Sequence, residues 1–414
     1  MDGGARKEPA IVDWARRTFR AFRYRDFRLL WLGAFTSTTG TWMQMVAQSW
    51  VVLQLTGSAF YLGLVSFLGQ LPILFFSLIG GAFADRVDRR KLLLFSQYVQ
   101  MAVAVLLTIL VAGGWVEVWH FLVLVFVAGS GQAFGGPAYQ ALLPTLVDRE
   151  DVPNAVALNS IQFNLARMVG PVLAGGAFAA FGAAICFGLN ALSFLAVILA
   201  LLAIRSRFIP PRREANLLQD IGQGFRYVRS RGALWQLTIL GFASTFCGVP
   251  LLTLLPVFAK DVFGLDAAGY SYMMAVSGAG SILGAVVYAS YSRRTRQGRF
   301  TVRMQLVLAL LIGLFAVSRA LWLSCLLLFL GGAGLISLFA AITSLVQLAT
   351  EEGMRGRMMS IFMLAFRGGM PLGDLLAGFL AATFTPTAAL LVLACLLAAV
   401  SLGVQGSRAG VTRL

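Results

Sequence analysis

Long apolar runs, broken by short arginine-bearing segments, set the rhythm of this chain. A helix needs about 20 mostly apolar residues to cross the hydrocarbon core of a bilayer. Twelve stretches meet that requirement: 28–54, 58–84, 91–113, 118–142, 154–181 and 184–205, then 234–262, 268–292, 300–317, 320–348, 356–383 and 386–405. Several exceed 25 residues, which implies tilted or bent helices. The pattern predicts an all-α membrane protein with twelve transmembrane helices in two six-helix bundles. On this reading 1–27 is a tail, 28–205 the first bundle, 206–232 a linker, 233–406 the second bundle and 407–414 a second tail. Within the linker, Leu217, Ile221, Phe225 and Val228 share one helical face, while Arg226 and Arg229 lie on the other. An amphipathic helix lying on the inner membrane surface is expected there.

Composition narrows the class further. Only 12% of the 414 residues are charged, against about 25% in ordinary soluble domains. The net charge of +16 alone would suit a nucleic-acid binder, but a mean hydropathy of +0.82 cannot accompany a soluble surface. No nucleic-acid partner is expected. Cys186, Cys247, Cys325 and Cys395 all lie in apolar stretches, and His120 is the single histidine. That supply predicts buried thiols, no metal site and no cofactor.

Sorting the basic residues by loop explains the excess. With the N-terminus in the cytoplasm, 29 of the 33 fall on the cytoplasmic side, and only Lys260 and Arg319 fall outside. This is the positive-inside pattern, with both termini cytoplasmic. A multi-pass protein of the plasma (inner) membrane is predicted, functioning as a monomer.

The two halves repeat. Gly33 and Gly40 match Gly241 and Gly248 at an offset of 208, and Gly57 matches Gly264 at 207. Ala141, Ser160, Arg167 and Pro171 match Ala341, Ser360, Arg367 and Pro371 at 200. Six helices followed by six in the same orientation are parallel repeats, a symmetry by which transporters place a site at the midplane and rock their halves around it. The pairs Gly280/Gly284 and Gly369/Gly373 are GxxxG spacings that permit close backbone approach. With Pro171 and Pro371 they mark the fifth, eighth and eleventh spans as the expected sliding interface.

After the second span comes GAFADRVDRRK, from Gly81 to Lys91. It resembles the loop signature of the major facilitator superfamily: Gly81, Asp85, Arg86, Arg89 and Arg90 fit, while Asp88 stands where the family usually has glycine. The stretches Gly40–Ala59 and Ala141–Pro171 look like the branch of enterobactin-exporter and macrolide-efflux-type pumps. The resemblance implies the major facilitator fold and a gating latch made of Gly81, Asp85, Arg86, Arg89 and Arg90. In that family the aspartate faces the start of the eleventh span, here near Arg355 to Arg357. Arg86, Arg89 or Arg90 would pair with Asp148, Glu150 and Asp151 after the fourth span.

Three charged groups lie well inside spans, away from their ends: Arg167, Arg367 and Asp374. An arginine at the bilayer centre costs at least about 2.5–3.5 kcal/mol, so each should face a cavity or a partner. Binding substrate and bracing the fold are both open to them. Asp374 is the only carboxylate well inside a span and the expected proton carrier. The resemblance also assigns Gln44, Gln48, Gln132 and Gln347 to the central cavity, and Trp42 beside the glutamines of the first span and Gln162 in the fifth are further candidates for it. The implied function is proton-coupled export of small amphipathic molecules, of drug or siderophore type, by alternating access. A lipid flippase is the alternative, with a non-transporting receptor behind it. No nucleotide loop, paired carboxylates or nucleophile with a base points to an enzyme.

Overall fold

The computed structural model describes residues 18–84, 87–204, 217–291, 297–406 and 410–411. The first bundle contains α1 (Arg25–Thr56), α2 (Ala59–Ala84), α3 (Arg89–Ala112), α4 (Val118–Leu142), α5 (Val152–Phe181) and α6 (Ala183–Ala203). A short helix, α7 (Leu217–Ser230), precedes the second bundle. That bundle contains α8 (Gly232–Gly248), α9 (Pro250–Val257), α10 (Ala267–Tyr291), α11 (Gln297–Val317), α12 (Leu321–Ala349), α13 (Arg355–Thr383) and α14 (Pro386–Gly406). Ten of the described helical stretches are long and apolar enough to cross a membrane. The more polar α1 and α13 have the length, at 32 and 29 residues, and carry most of the polar groups considered below.

Local chemistry sets the breaks. α1 stops at Gly57, whose positive φ of 59° lets its N–H reach the Leu53 carbonyl. Asp88 caps α3 by accepting the Arg90 backbone N–H at 2.9 Å. The residue that departs from the family's glycine therefore has a structural use of its own. The expected single span 234–262 is divided: α9 begins at Pro250, and a π-helical turn, Phe258–Val262, completes it. Proline has no N–H to continue the preceding helix and fits the first turn of a new one.

The two bundles share a plan. The pairings α1–α6, α1–α5, α2–α4, α3–α4 and α3–α6 recur as α8–α14, α8–α13, α10–α12, α11–α12 and α11–α14. Gln97 of α3 and Gln305 of α11 correspond at the same offset of 208, and both are buried with amide atoms lacking a partner. The bundles meet along two seams, α2 against α13 and α5 against α10. Helix α7 docks on the second bundle: Gly224 lies against Ile361 and Arg357 of α13, and Phe225 meets Trp235 edge-on at 6.3 Å.

The glycine pairs serve a different contact from the one expected. Gly280 and Gly284 pack on the backbone of Phe329 and Ala333 in α12, and Gly369 and Gly373 on Phe242 and Phe246 in α8. Both pairs tighten the second bundle internally. Across the seams, the close approaches are Gly63 against Asp374 and Gly378, and Gly278 against Arg167 and Met168. The face bearing 280 and 284 points away from the one bearing 278, because two helical residues are about 200° apart.

At the arginine-rich end of the first bundle, Asp151 is 1% exposed. It accepts Arg20 Nε at 2.8 Å, an Arg23 guanidinium nitrogen at 2.9 Å and the Tyr24 hydroxyl at 2.7 Å. Partial removal from water, followed by donation to Asp148, pushes the Tyr24 hydroxyl above its ordinary pKa. The acids after α4 are therefore engaged by Arg20 and Arg23, where Arg86, Arg89 or Arg90 had been expected. Arg89 instead donates to the Ala141 carbonyl at 3.0 Å and Arg90 to the Leu202 carbonyl at 2.9 Å. Both arginines thus cap the C-terminal turns of α4 and α6, where free carbonyls attract cations.

Candidate functional site

The site is built where the two seams flank the space between the bundles. On one seam, Asp374 of α13 is 0% exposed. Its Oδ2 accepts the Ser66 hydroxyl of α2 at 2.5 Å, and its Oδ1 accepts the Thr253 hydroxyl of α9 at 2.8 Å. Gly63, one turn before Ser66, lies directly on the Asp374 backbone: a Cβ built there would stand 2.3 Å from the Asp374 carbonyl oxygen. Toward the arginine-rich end, the Gln70 amide reaches the Met370 sulfur at 3.7 Å. Asp374 lies about 28 Å along α13 at 1.5 Å per residue, in the part away from the arginine-rich loops.

At that same end Trp50 of α1 stacks on Tyr270 of α10, with centroids 6.0 Å apart and planes 17° apart. Both rings are buried. Contacts that join the bundles thus include Ser66–Asp374, Gln70–Met370, Trp50–Tyr270 and a hydrogen bond between Ser49 and Tyr270.

Arg167 and Arg367 sit one on each seam. Arg167 lies about 22 Å along α5 and Arg367 about 18 Å along α13. Arg167 is 8% exposed, and its guanidinium stands 5.5 Å from the centre of the Trp42 ring. Trp42 in turn meets Phe163 edge-on at 6.3 Å. Gly170 lets this arrangement close, since a Cβ there would stand 2.5 Å from the Trp42 Cβ and 2.8 Å from the Thr39 carbonyl oxygen. Arg367 is exposed. Among the described residues neither arginine has a carboxylate within salt-bridge distance.

The other expected cavity residues divide. Gln44 accepts the Asn190 amide of α6 at 2.7 Å, and Gln162 donates to the Ala34 carbonyl of α1 at 3.2 Å. These two amides are occupied in joining helices of the first bundle. Gln48 is half-buried, and Gln132 and Gln347 are exposed. Gln132 accepts from Gln100 at 3.2 Å. Gly81 falls near the end of α2, while Asp85 and Arg86 lie outside the described residues. Sequence reasoning passed over Ser66, Thr253, Gln70 and Phe163. Gln70 was the most legible of these, as an amide within an apolar span.

A pocket of about 450 Å³ opens where α2, α8 and α13 meet. Leu74, Phe75, Phe242, Leu364, Gly368 and Leu372 line it, so it is almost wholly apolar.

Comparison with known proteins gives a consistent set. A family model described as a transmembrane secretion effector matches residues 16–409. The staphyloferrin A transporter of Staphylococcus aureus (strain NCTC 8325 / PS 47) is 26% identical over 357 residues, covering 85% of this chain and 88% of that protein. The enterobactin exporter EntS of Salmonella typhi is 27% identical over 388 residues, covering 89% and 87%. Macrolide efflux protein A of Streptococcus pyogenes is 22% identical over 282 residues, covering 66% and 70%. Among solved structures, a D-xylose–proton symporter superposes with a TM-score of 0.75 at 13% identity, covering 94% of this chain and 99% of that one. A bacterial homologue of the human lysosomal transporter Spinster, inward-facing and occupied, superposes at 0.74 and 13%, covering 92% and 97%.

Proposed function

The chain belongs to the transmembrane secretion effector family of major facilitator transporters, and from that premise we propose that it exports small amphipathic molecules against an inward flow of protons. It is a multi-pass membrane transporter of the efflux type, not an enzyme. The proposed cycle is alternating access in the inner membrane, by a monomer with both termini in the cytoplasm. The arginine-rich end is then the cytoplasmic one, and Asp374 lies toward the outside.

The observation that carries proton coupling is the setting of Asp374. It is the one carboxylate deep within a described span, and its hydrogen-bonding partners are two neutral hydroxyls, one from the opposite bundle. A carboxyl held only by neutral hydroxyls has no counter-charge, and a buried ion without one is costly. Parting the seam on the outer side would give Asp374 access to the outer solution, and burial as the seam closes again favours uptake of a proton from it. The seam then closes over a neutral acid, and the proton leaves toward the cytoplasmic side. Gly81, Asp85 and Arg86 form the proposed cytoplasmic latch. Gln48, Gln132 and Gln347 are proposed to line the path of the substrate.

The test uses purified protein in vesicles that contain a pH-sensitive dye. Substrate movement should carry protons in the opposite direction in the wild type. Asp374→Asn should abolish that proton signal while substrate exchange persists. Unchanged proton movement in the variant overturns the assignment.

A lipid or lysophospholipid flippase is a second reading, favoured by the apolar pocket beside Leu74 and Phe242. Acyl chains suit such a lining. Movement of a labelled lysophospholipid between leaflets, absent for drug-like probes, would select it.

A further inference from the structure

Resting on the transport reading above, we propose that the substrate is an organic anion with an apolar body, and that Arg167 and Arg367 recognise its charge. Outside the spans, Arg20, Arg23, Arg231 and Arg355 all lie beside carboxylates. Inside them, among the described residues, Arg167 and Arg367 lie beside none. Asp374 is the acid that could have neutralised one of them, and it is committed to Ser66 and Thr253. Among the described residues, two positive charges on the seam helices therefore lack a carboxylate partner.

The geometry at Arg167 is suited to a ligand. Its guanidinium carbon lies over the Trp42 ring, 5.5 Å from the centroid. The N–H donors lie in the guanidinium plane, and among the described residues no carboxylate pairs with them. A planar fork held over an aromatic ring and without a carboxylate of its own matches a carboxylate or a similar oxyanion. Trp42 and Phe163 stand beside it as an aromatic wall for the apolar part of the molecule.

Arg367 supplies the second charge from the other bundle, at the equivalent place in the repeat. An empty carrier brings two like charges together when the bundles close, which opposes closure. An anion held between them removes that opposition. Occupancy is thereby linked to closure, as alternating access requires. A cationic compound would add a third positive charge to the same space and find no free carboxylate. Charge thus separates the two kinds of cargo, acidic and basic, that amphipathic efflux covers.

The experiment compares three probes on one aromatic skeleton: 2-naphthylacetate, its neutral amide and the 2-naphthylethylammonium cation. Binding to the purified full-length protein is titrated in detergent, and accumulation of each probe is followed in vesicles. The anion should bind at least about tenfold more tightly than the amide, and the cation least, as a charge-assisted fork predicts. Arg167→Met and Arg367→Met should each remove most of that preference, lowering anion binding far more than amide binding. Arg167→Lys should retain part of it. Arg367 is exposed, so its variant tests the proposal even if Arg167→Met fails to fold. Preference for the cation, equal binding of the three, or full anion preference in Arg367→Met overturns the proposal. Anion binding without accumulation of any probe would instead count against the transport reading, and leave the recognition intact.

Discussion

Ser66 and Asp374 tie the two bundles together through one hydrogen bond, Oγ to Oδ2, at 2.5 Å. Thr253 holds the other carboxylate oxygen at 2.8 Å, but from the same bundle as Asp374. Of these two bonds at Asp374, only the serine bond crosses the seam and must break when it opens. A hydrogen bond to a charged group contributes about 1.5–3 kcal/mol, which is tenfold or more in an equilibrium. Ser66→Ala should therefore shift the population toward the state open on the Asp374 side by at least about tenfold. Thr253→Ala should shift it much less. Distances between spin labels at Ser58 and Thr385 would report this, and equal shifts in the two variants would remove the serine from the gate.

Gly63 makes the same seam possible in another way. Its missing Cβ leaves room for the Asp374 carbonyl oxygen, which would otherwise be 2.3 Å away. The contact is with backbone, so it cannot be relieved by rotating a side chain. Gly63→Val is expected to keep the seam from closing, by an overpacking cost of about 1–3 kcal/mol. Transport should fall while a cysteine placed at Ser66 becomes open to water-soluble maleimide. Labelling no faster than in the Gly63 parent would show that the helices can part locally without opening the gate.

The places where sequence and structure agree are those set by one helix at a time. Hydropathy located the spans to within a few residues, and charge scarcity singled out Arg167, Arg367 and Asp374. What escaped were the relations between helices. Ser66 lies in a run of apolar residues, where a serine reads as bonding its own backbone. Nothing local marks its partner 308 positions away. Gln44 and Gln162 look like cavity residues because amides are rare in membranes, yet neighbouring helices within the bundle use them equally well. The acids at 148, 150 and 151 were assigned to the nearest arginine-rich loop. The first helical turns, which bring Arg20 and Arg23 closer, are visible only in three dimensions.

The cluster around Asp151 should support folding more than transport. Asp151 is almost fully buried, and three donors converge on it. Its arginines are about half exposed, so water can recover them if the acid is lost. Asp151→Ala should cost about 1–3 kcal/mol, the price of losing charge-assisted bonds without stranding a buried cation. Asp148→Ala, at a side chain 73% exposed, should cost under about 1 kcal/mol. Thermal unfolding in detergent orders the two. A larger loss for Asp148→Ala would mean that the exposed acid carries the cluster.

Gly280 and Gly176 separate packing from flexibility as reasons for the chain's many glycines. A Cβ on Gly280 would stand 1.9 Å from the Phe329 carbonyl oxygen and 2.7 Å from its carbon. On Gly176 it would meet nothing within 4 Å. Both glycines lie in helix interiors, α10 and α5, where alanine is intrinsically favoured by roughly 0.5–1 kcal/mol. Gly176→Ala should therefore be neutral or stabilising by about that amount. At Gly280 the same gain is outweighed, because α10 and α12 would have to move apart along their length. Gly280→Ala should lower the unfolding temperature, with transport falling alongside stability. If glycine served bending instead, Gly176→Ala would slow transport at unchanged stability, and the close packing of Gly280 would not distinguish the two variants.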